Sequence, residues 1–95
     1  MVTLLIRCRV ADYDFWRPRY DAAVARDTAM GVRSSQVWRG KDDENLVVII
    51  ETYDSRASAE ALMNDPAIQA EMVADGVDPS SVQLDFLDET APVLR

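Results

Sequence analysis

The chain opens on alternation. From Val2 to Val10, Leu4, Ile6, Cys8 and Val10 fall on one side and Thr3, Leu5, Arg7 and Arg9 on the other. A period of two belongs to a strand with one buried face. The period then lengthens. Trp16, Tyr20, Ala23 and Val24 recur at helical spacing within Phe15 to Ala29 and predict a core-facing stripe. Asp12 or Asp14 is placed to cap this helix, a short side-chain oxygen accepting from the free amides of the first turn. Pro18 is expected in that first turn, where a missing donor is tolerated. Gly31, free to take a positive φ, is expected to end the segment.

Val32 to Gly40 predicts a second strand, with Ser34, Gln36 and Trp38 against Arg33, Ser35, Val37 and Arg39. A polar turn, Lys41 to Asn45, separates it from Leu46 to Tyr53. That third run is continuously apolar and rich in β-branched residues, so both of its faces read as buried. A helix from Ser55, with Leu62 and Met63 inward, is interrupted at Asp65-Pro66, because proline lacks an amide donor and restricts the residue before it. It resumes through Ile68, Met72 and Val73 and stops at Gly76. After an Asp78-Pro79 turn, Ser81 to Glu89 alternates again, with Val82, Leu84 and Phe86 opposite Gln83, Asp85 and Leu87. The tail to Arg95, with Val93-Leu94, is expected to cover an edge or a partner.

The order β-α-β-β-α-β predicts one α+β domain over residues 1–95. It is a ferredoxin-like, four-stranded antiparallel sheet with two helices on one face, since right-handed crossovers bring both helices to the same side. The rows Leu4, Ile6, Cys8 and Val82, Leu84, Phe86 are wholly apolar and should meet the helices. The other face is then expected to carry Leu5, Val37, Val47, Ile49 and Leu87 beside Arg7, Arg9, Glu51, Tyr53 and Asp85. Such an apolar patch implies a binding surface. A second copy of the same sheet is the simplest cover, so a homodimer through the open face is expected. The alternative is a monomer whose exposed face is merely mixed.

Composition sharpens this. The 95 residues make a small domain with a thin core, of the kind stabilised by crosslinks, metals or self-association. Cys8 is the sole cysteine and histidine is absent. No disulfide and no zinc site of nitrogen and sulfur ligands can then form within one chain, and neither metal nor cofactor is expected. Self-association is the route left. A net charge of −7 argues against nucleic acid and anionic membrane surfaces as partners. No run approaches a membrane span, and the N-terminus lacks the features of a signal peptide. With a single thiol, the cytoplasm is the expected compartment.

Asp12-Tyr13-Asp14-x-Trp16, Gly31-Val32, Asp42-Asp43-x-Asn45, Glu51-x-x-Asp54, and Asp65-Pro66 leading through Met72 to Gly76-Val77 together resemble the dimeric α/β-barrel superfamily. That group holds the antibiotic-biosynthesis monooxygenases, small polyketide cyclases and many uncharacterised proteins. The resemblance runs from first strand to last. It implies two sheets forming halves of one barrel, with small apolar ligands held between sheet and helices. Haem-degrading relatives use a histidine on iron, which this chain does not have. Cofactor-free oxygenation of an electron-rich phenol needs a dry pocket and a base or polar anchor, and no residue is marked uniquely as that base.

The residues expected to line a ligand site are Arg7, Arg9, Trp16, Tyr20, Glu51 and Asp85. Arg7 and Arg9 are assigned to the barrel interior, where buried guanidinium groups must be paired, with Glu51 and Asp85 as partners. They read either as an anion or carbonyl anchor or as a structural salt-bridge network, and the network weighs more. Trp16 and Tyr20, one helical turn apart, read as core packing or as an aromatic wall, with Tyr20 or Tyr13 offering a hydroxyl. Trp38 and Tyr53 are expected to close a cavity mouth or dimer rim. Cys8 reads as a small buried hydrophobe. Asp42 to Asn45 lacks the spacing of a calcium loop and reads as a solvated turn. Two functions fit: a homodimer binding a small apolar or aromatic molecule, with monooxygenase or cyclase activity, or a non-catalytic dimeric module for sensing or association.

Overall fold

The computed structural model describes residues 1–93. Its elements are β1 (Val2–Arg9), α1 (Tyr13–Asp27), β2 (Val32–Arg39), β3 (Leu46–Tyr53), α2 (Arg56–Met63), α3 (Pro66–Ala74) and β4 (Gln83–Leu87). Short 3-10 turns at Thr28–Met30 and Pro79–Ser81 precede β2 and β4. The strands form one antiparallel sheet in the order β2-β3-β1-β4, a ferredoxin-like α+β fold whose sheet is not closed. Val93 is fully exposed. The expectation for the tail at Leu94 and Arg95 lies outside the described residues.

Local chemistry sets the ends of each element. Asp12 caps α1, accepting from the amides of Asp14 and Phe15 at 3.0 and 3.4 Å. The helix starts before the apolar stripe does, so Pro18 sits inside it and not in its first turn. In that stretch Arg19 Nη1 donates to the Phe15 carbonyl at 2.7 Å. Gly31, at φ 103°, closes the turn after α1. Ser55 caps α2 and Asp65 caps α3, whose first residue is Pro66. The helical layer is therefore three pieces, with the break where the proline placed it.

The core lies between this layer and one face of the sheet. Leu4, Ile6 and Cys8 of β1 are buried there, with Trp16 of α1, Ala59 and Leu62 of α2, and Val77. The row expected on β1 is thus the inner row. On β3 the expected faces are reversed. Cys8 stands opposite Val47, Ile6 opposite Ile49, and Leu4 opposite Glu51. Opposed residues in a ladder share a face, so Val47, Ile49, Glu51 and Tyr53 face the helices, and Val37 follows Ile49. The open face instead carries Leu46, Val48 and Ile50 of β3 with Leu5, Arg7 and Arg9 of β1, Gln36 and Trp38 of β2, and Asp85 and Leu87 of β4. The reason is physical. Leu46 to Ile50 has no polar alternation to fix a face, and Glu51 is buried in spite of its charge. Leu84 shares the inner face but lies 45% exposed, beyond the cover of the helices.

Candidate functional site

Glu51 is the centre of the inner face. It projects from β3 between Leu4 of β1 and Ser35 of β2 and is 4% exposed. A buried carboxylate needs donors. Tyr53, two residues along the same strand face, donates from Oη to Glu51 Oε1 at 2.8 Å. Tyr20, on α1, donates to Oε2 at 2.8 Å. Tyr20 Oη also lies 2.6 Å from Ser35 Oγ. The single phenolic proton is committed to Glu51, so the serine hydroxyl donates to Tyr20. Ser35, Tyr20, Glu51 and Tyr53 form one directed network ending on the carboxylate, and no buried side-chain polar atom among the described residues lacks a partner.

The electrostatics follow from burial. Loss of solvent pushes the Glu51 carboxyl above its ordinary range; the two tyrosine hydroxyls oppose the shift, and the Asp27 charge adds to it. Tyr20 and Tyr53 are driven up by burial and then by the Glu51 charge, so both stay protonated donors. Asp27, at the end of α1, is also buried and is held by Arg26 Nε at 3.3 Å. Arg26 reaches on to Glu71 of α3 at 3.0 and 3.2 Å, which ties α1 to α3.

A cavity of about 60 Å³ lies against this network, lined by Glu51, Tyr20, Cys8, Ile49, Leu62 and Met72 among others. Except for the carboxylate, its walls near the sheet are apolar. Burial pushes the Cys8 thiol up to about 11, which leaves it an inert packing group, as its place in the β1 row implies. A second space, a groove of about 610 Å³, runs along the outside of α3 toward β4 and is lined by Pro66, Val73 and Leu84.

The six expected site residues do not come together. Tyr20 and Glu51 meet at the cavity. Trp16 stacks on Tyr20, with ring centroids 4.8 Å apart, but is packed in the core and does not line the cavity. Tyr13, also offered as a hydroxyl source, packs its ring on Trp16 and accepts from Arg17 Nη1 at 2.8 Å. Arg7, Arg9 and Asp85 are exposed on the opposite face of the sheet, so neither arginine pairs with Glu51. Arg9 pairs with Asp43 instead. Tyr53 is wholly buried and not at a rim, whereas Trp38 is 55% exposed on the open face. Ser35, Asp27, Met63 and Met72 are not among the expected site residues, although Met63 is expected to face inward and Met72 to continue the helix. A signal that could have found the centre is the Glu51-x-Tyr53 spacing, which puts a carboxylate and its donor on one strand face. Among the described residues no group of three metal-ligating side chains forms, and no helix is long and apolar enough to cross a membrane.

No protein-family profile and no curated protein matches the sequence. Solved structures do match the fold. A point mutant of SnoaB, a cofactor-independent oxygenase from Streptomyces nogalater, superposes with a TM-score of 0.75 at 13% identity, covering 99% of this chain and 97% of that one. An antibiotic biosynthesis monooxygenase gives 0.74 at 12% identity, covering 96% and 100%. Rv0793 from Mycobacterium tuberculosis gives 0.66 at 19%, covering 98% of each chain. The chain shares the fold of these proteins over nearly its whole length, as the resemblance in its motifs implied.

Proposed function

We propose that this protein is a homodimer that binds a flat, largely apolar phenol or aryl ketone between helices and sheet and oxygenates it without a cofactor, with Glu51 as proton acceptor. The observation that carries the reading is a buried carboxylate, its proton affinity raised by desolvation, on the wall of a cavity that is apolar toward the sheet and bordered by Arg26, Asp27, Glu71 and Asp75 on its helix side. A base works best when its pKa lies near the working pH, and burial moves Glu51 in that direction. In the proposed reaction the carboxylate takes a proton from an acidified CH2 of the substrate. The resulting anion is oxidised by dioxygen, which adds to its carbon, and the proton held on Glu51 returns to the peroxide to give a hydroperoxide and the free carboxylate. Loss of water then leaves a carbonyl, so one oxygen atom enters the product and the other leaves as water. The likeness to a cofactor-independent oxygenase supports this chemistry. Polyketide-like cyclisation at the same base is the competing reaction, and it consumes no dioxygen.

The second copy covers the open face. Leu5, Leu46, Val48 and Ile50 make an apolar centre there, with Arg7, Arg9 and Asp85 around it. Two such faces packed together complete a barrel. The unpaired thiol of Cys8 suits a reducing cytoplasm, and the net charge of −7 leaves nucleic acid and membrane surfaces out of the proposal.

The size of the cavity favours a second reading. About 60 Å³ is far below the roughly 300–1,000 Å³ of a ligand pocket, as a sealed, non-catalytic dimeric module would have. One experiment separates the two. Anthrone and 2-naphthol are titrated into the protein while tryptophan emission is followed, and oxygen uptake is recorded with no flavin or metal added. Saturable quenching by both, with uptake on anthrone that falls about a hundredfold or more in Glu51→Gln, supports the oxygenase. Quenching without uptake leaves a cyclase or binder. No quenching by either compound leaves the sealed module.

A further inference from the structure

The cavity beside Glu51 and the groove outside α3 share three wall residues, Met63, Met72 and Val77. Neither space alone makes a site. The cavity touches the carboxylate but has room for about two waters. The groove has the volume of a ligand pocket but does not reach Glu51. What divides them is chemically uneven. Val77 is β-branched, 5% exposed and tied through its amide to the Met72 carbonyl at 3.0 Å. Met63 and Met72 are only partly buried, and each is an unbranched thioether with three soft torsions. They also sit on different pieces. Met63 is the last residue of α2, Met72 lies in α3, and the break at Asn64 and Asp65 stands between them. No residue of α3 is fully buried.

We propose that cavity and groove are one binding site divided by a methionine gate: Met63 and Met72 turn aside, against the fixed post of Val77, and admit a flat fused-ring molecule edge-first from the groove until its polar edge meets Glu51. The proposal rests on the binding reading above and adds to it the route, the shape of ligand and the residues that select it. A planar ring system can slide between two thioethers that pack on its faces, as sulfur does on aromatic rings. A branched aliphatic of equal volume needs a wider opening. The gate therefore favours fused aromatics by thickness and limits them by length.

Stopped-flow quenching with 2-naphthol, of two rings, and anthrone, of three, tests this on the full chain. Met63→Ala/Met72→Ala is expected to speed association of both by about tenfold, because an association that waits on a conformational change is slowed by it. It is also expected to improve anthrone affinity relative to 2-naphthol. Met63→Leu/Met72→Leu keeps the volume with stiffer side chains, retains the fold, and is expected to slow association with little change in the final 2-naphthol affinity. If both double variants associate at the wild-type rate while Glu51→Gln weakens binding, the gate is wrong and the site stands. If neither compound binds any variant, the site is wrong and the gate with it.

Discussion

Leu4 and Glu51 stand directly opposite each other across the β1–β3 ladder, on the face that the helices cover. An apolar row therefore has a carboxylate at its middle, and the hydroxyls of Tyr20 and Tyr53 are what make it tolerable there. Removing the carboxylate and removing only its charge should then differ. Glu51→Ala leaves Tyr53 without an acceptor and Tyr20 with Ser35 alone. It is expected to cost about 2–3 kcal/mol, whereas Glu51→Gln, whose amide oxygen still accepts, should cost about 1 kcal/mol. Urea unfolding at neutral pH reads both. Equal losses would mean that the tyrosines find other acceptors.

The same burial predicts a pH dependence, and its sign is fixed. A carboxyl with a folded-state pKa above its unfolded value binds more protons in the folded state. Its contribution to stability then falls as pH rises. The window opens near the ordinary value of 4.5 and closes at the raised folded value. Wild type is expected to lose stability relative to Glu51→Gln as pH climbs through that window and to hold a constant difference above it. Asp43 behaves oppositely: its pairing with Arg9 lowers its pKa, so what it contributes is present above the ordinary carboxyl value and lost in acid. Urea midpoints of wild type and Glu51→Gln across the pH range separate the two groups. A wild-type advantage over Glu51→Gln that shrinks toward acid would refute the assignment to Glu51.

Ile49 and Ile50 are neighbours in sequence and lie on opposite faces of the sheet. Ile49 is 4% exposed opposite Ile6, and Ile50 lies opposite Leu5 on the open face. A charge at the first site is buried without a partner, so Ile49→Glu should unfold the chain. Ile50→Glu should keep the fold and weaken the proposed dimer about a hundredfold or more, the scale of losing a central interface contact. Light scattering on the eluting protein, with circular dichroism, gives both answers. A folded Ile50→Glu that stays dimeric would move the interface elsewhere.

Much of this frame was legible in the residues. β1 has a polar position at nearly every second place, and its inner row was read correctly. Gly31, Asp65-Pro66 and Gly76 punctuate the chain where their backbone chemistry requires. β3 was read in the wrong register of faces because Leu46 to Ile50 carries no polar mark, and a charged Glu51 draws the reader toward the solvent side. Its true face depends on Tyr20, 31 positions away, and no local pattern encodes that pairing. Arg7 and Arg9 belong to the open face as expected, but of their two expected partners only Asp85 shares it, and Glu51 lies on the other. That Met63 and Met72 share a wall with Val77 is out of reach for the same reason as the Tyr20–Glu51 pairing, since α2, α3 and Val77 converge only in three dimensions.

Two glycines with positive φ give a sharper test of packing. Gly31 and Gly76 have φ of 103° and 96°. A Cβ at Gly31 would stand 2.9 Å from the Cβ of Ser58, while one at Gly76 meets nothing closer than 3.6 Å. Gly76→Ala should cost the conformational strain alone, about 1–2 kcal/mol. Gly31→Ala should cost more, because α2 must also give way. Denaturant unfolding ranks them, and equal losses would show that the Ser58 turn yields freely.

The sheet has two free edges, β2 and β4, and they are guarded by opposite charges. Arg33 and Arg39 lie on β2; Asp85 sits within β4, and Asp88 and Glu89 follow it. A charged edge resists pairing with the edge of another molecule. Leu84 and Leu87 are exposed beside the β4 edge. Replacing its guard, as in Asp85→Asn/Asp88→Asn/Glu89→Gln, while β2 keeps its arginines, is expected to leave strand-to-strand stacking between molecules one open side, at the last strand of the chain.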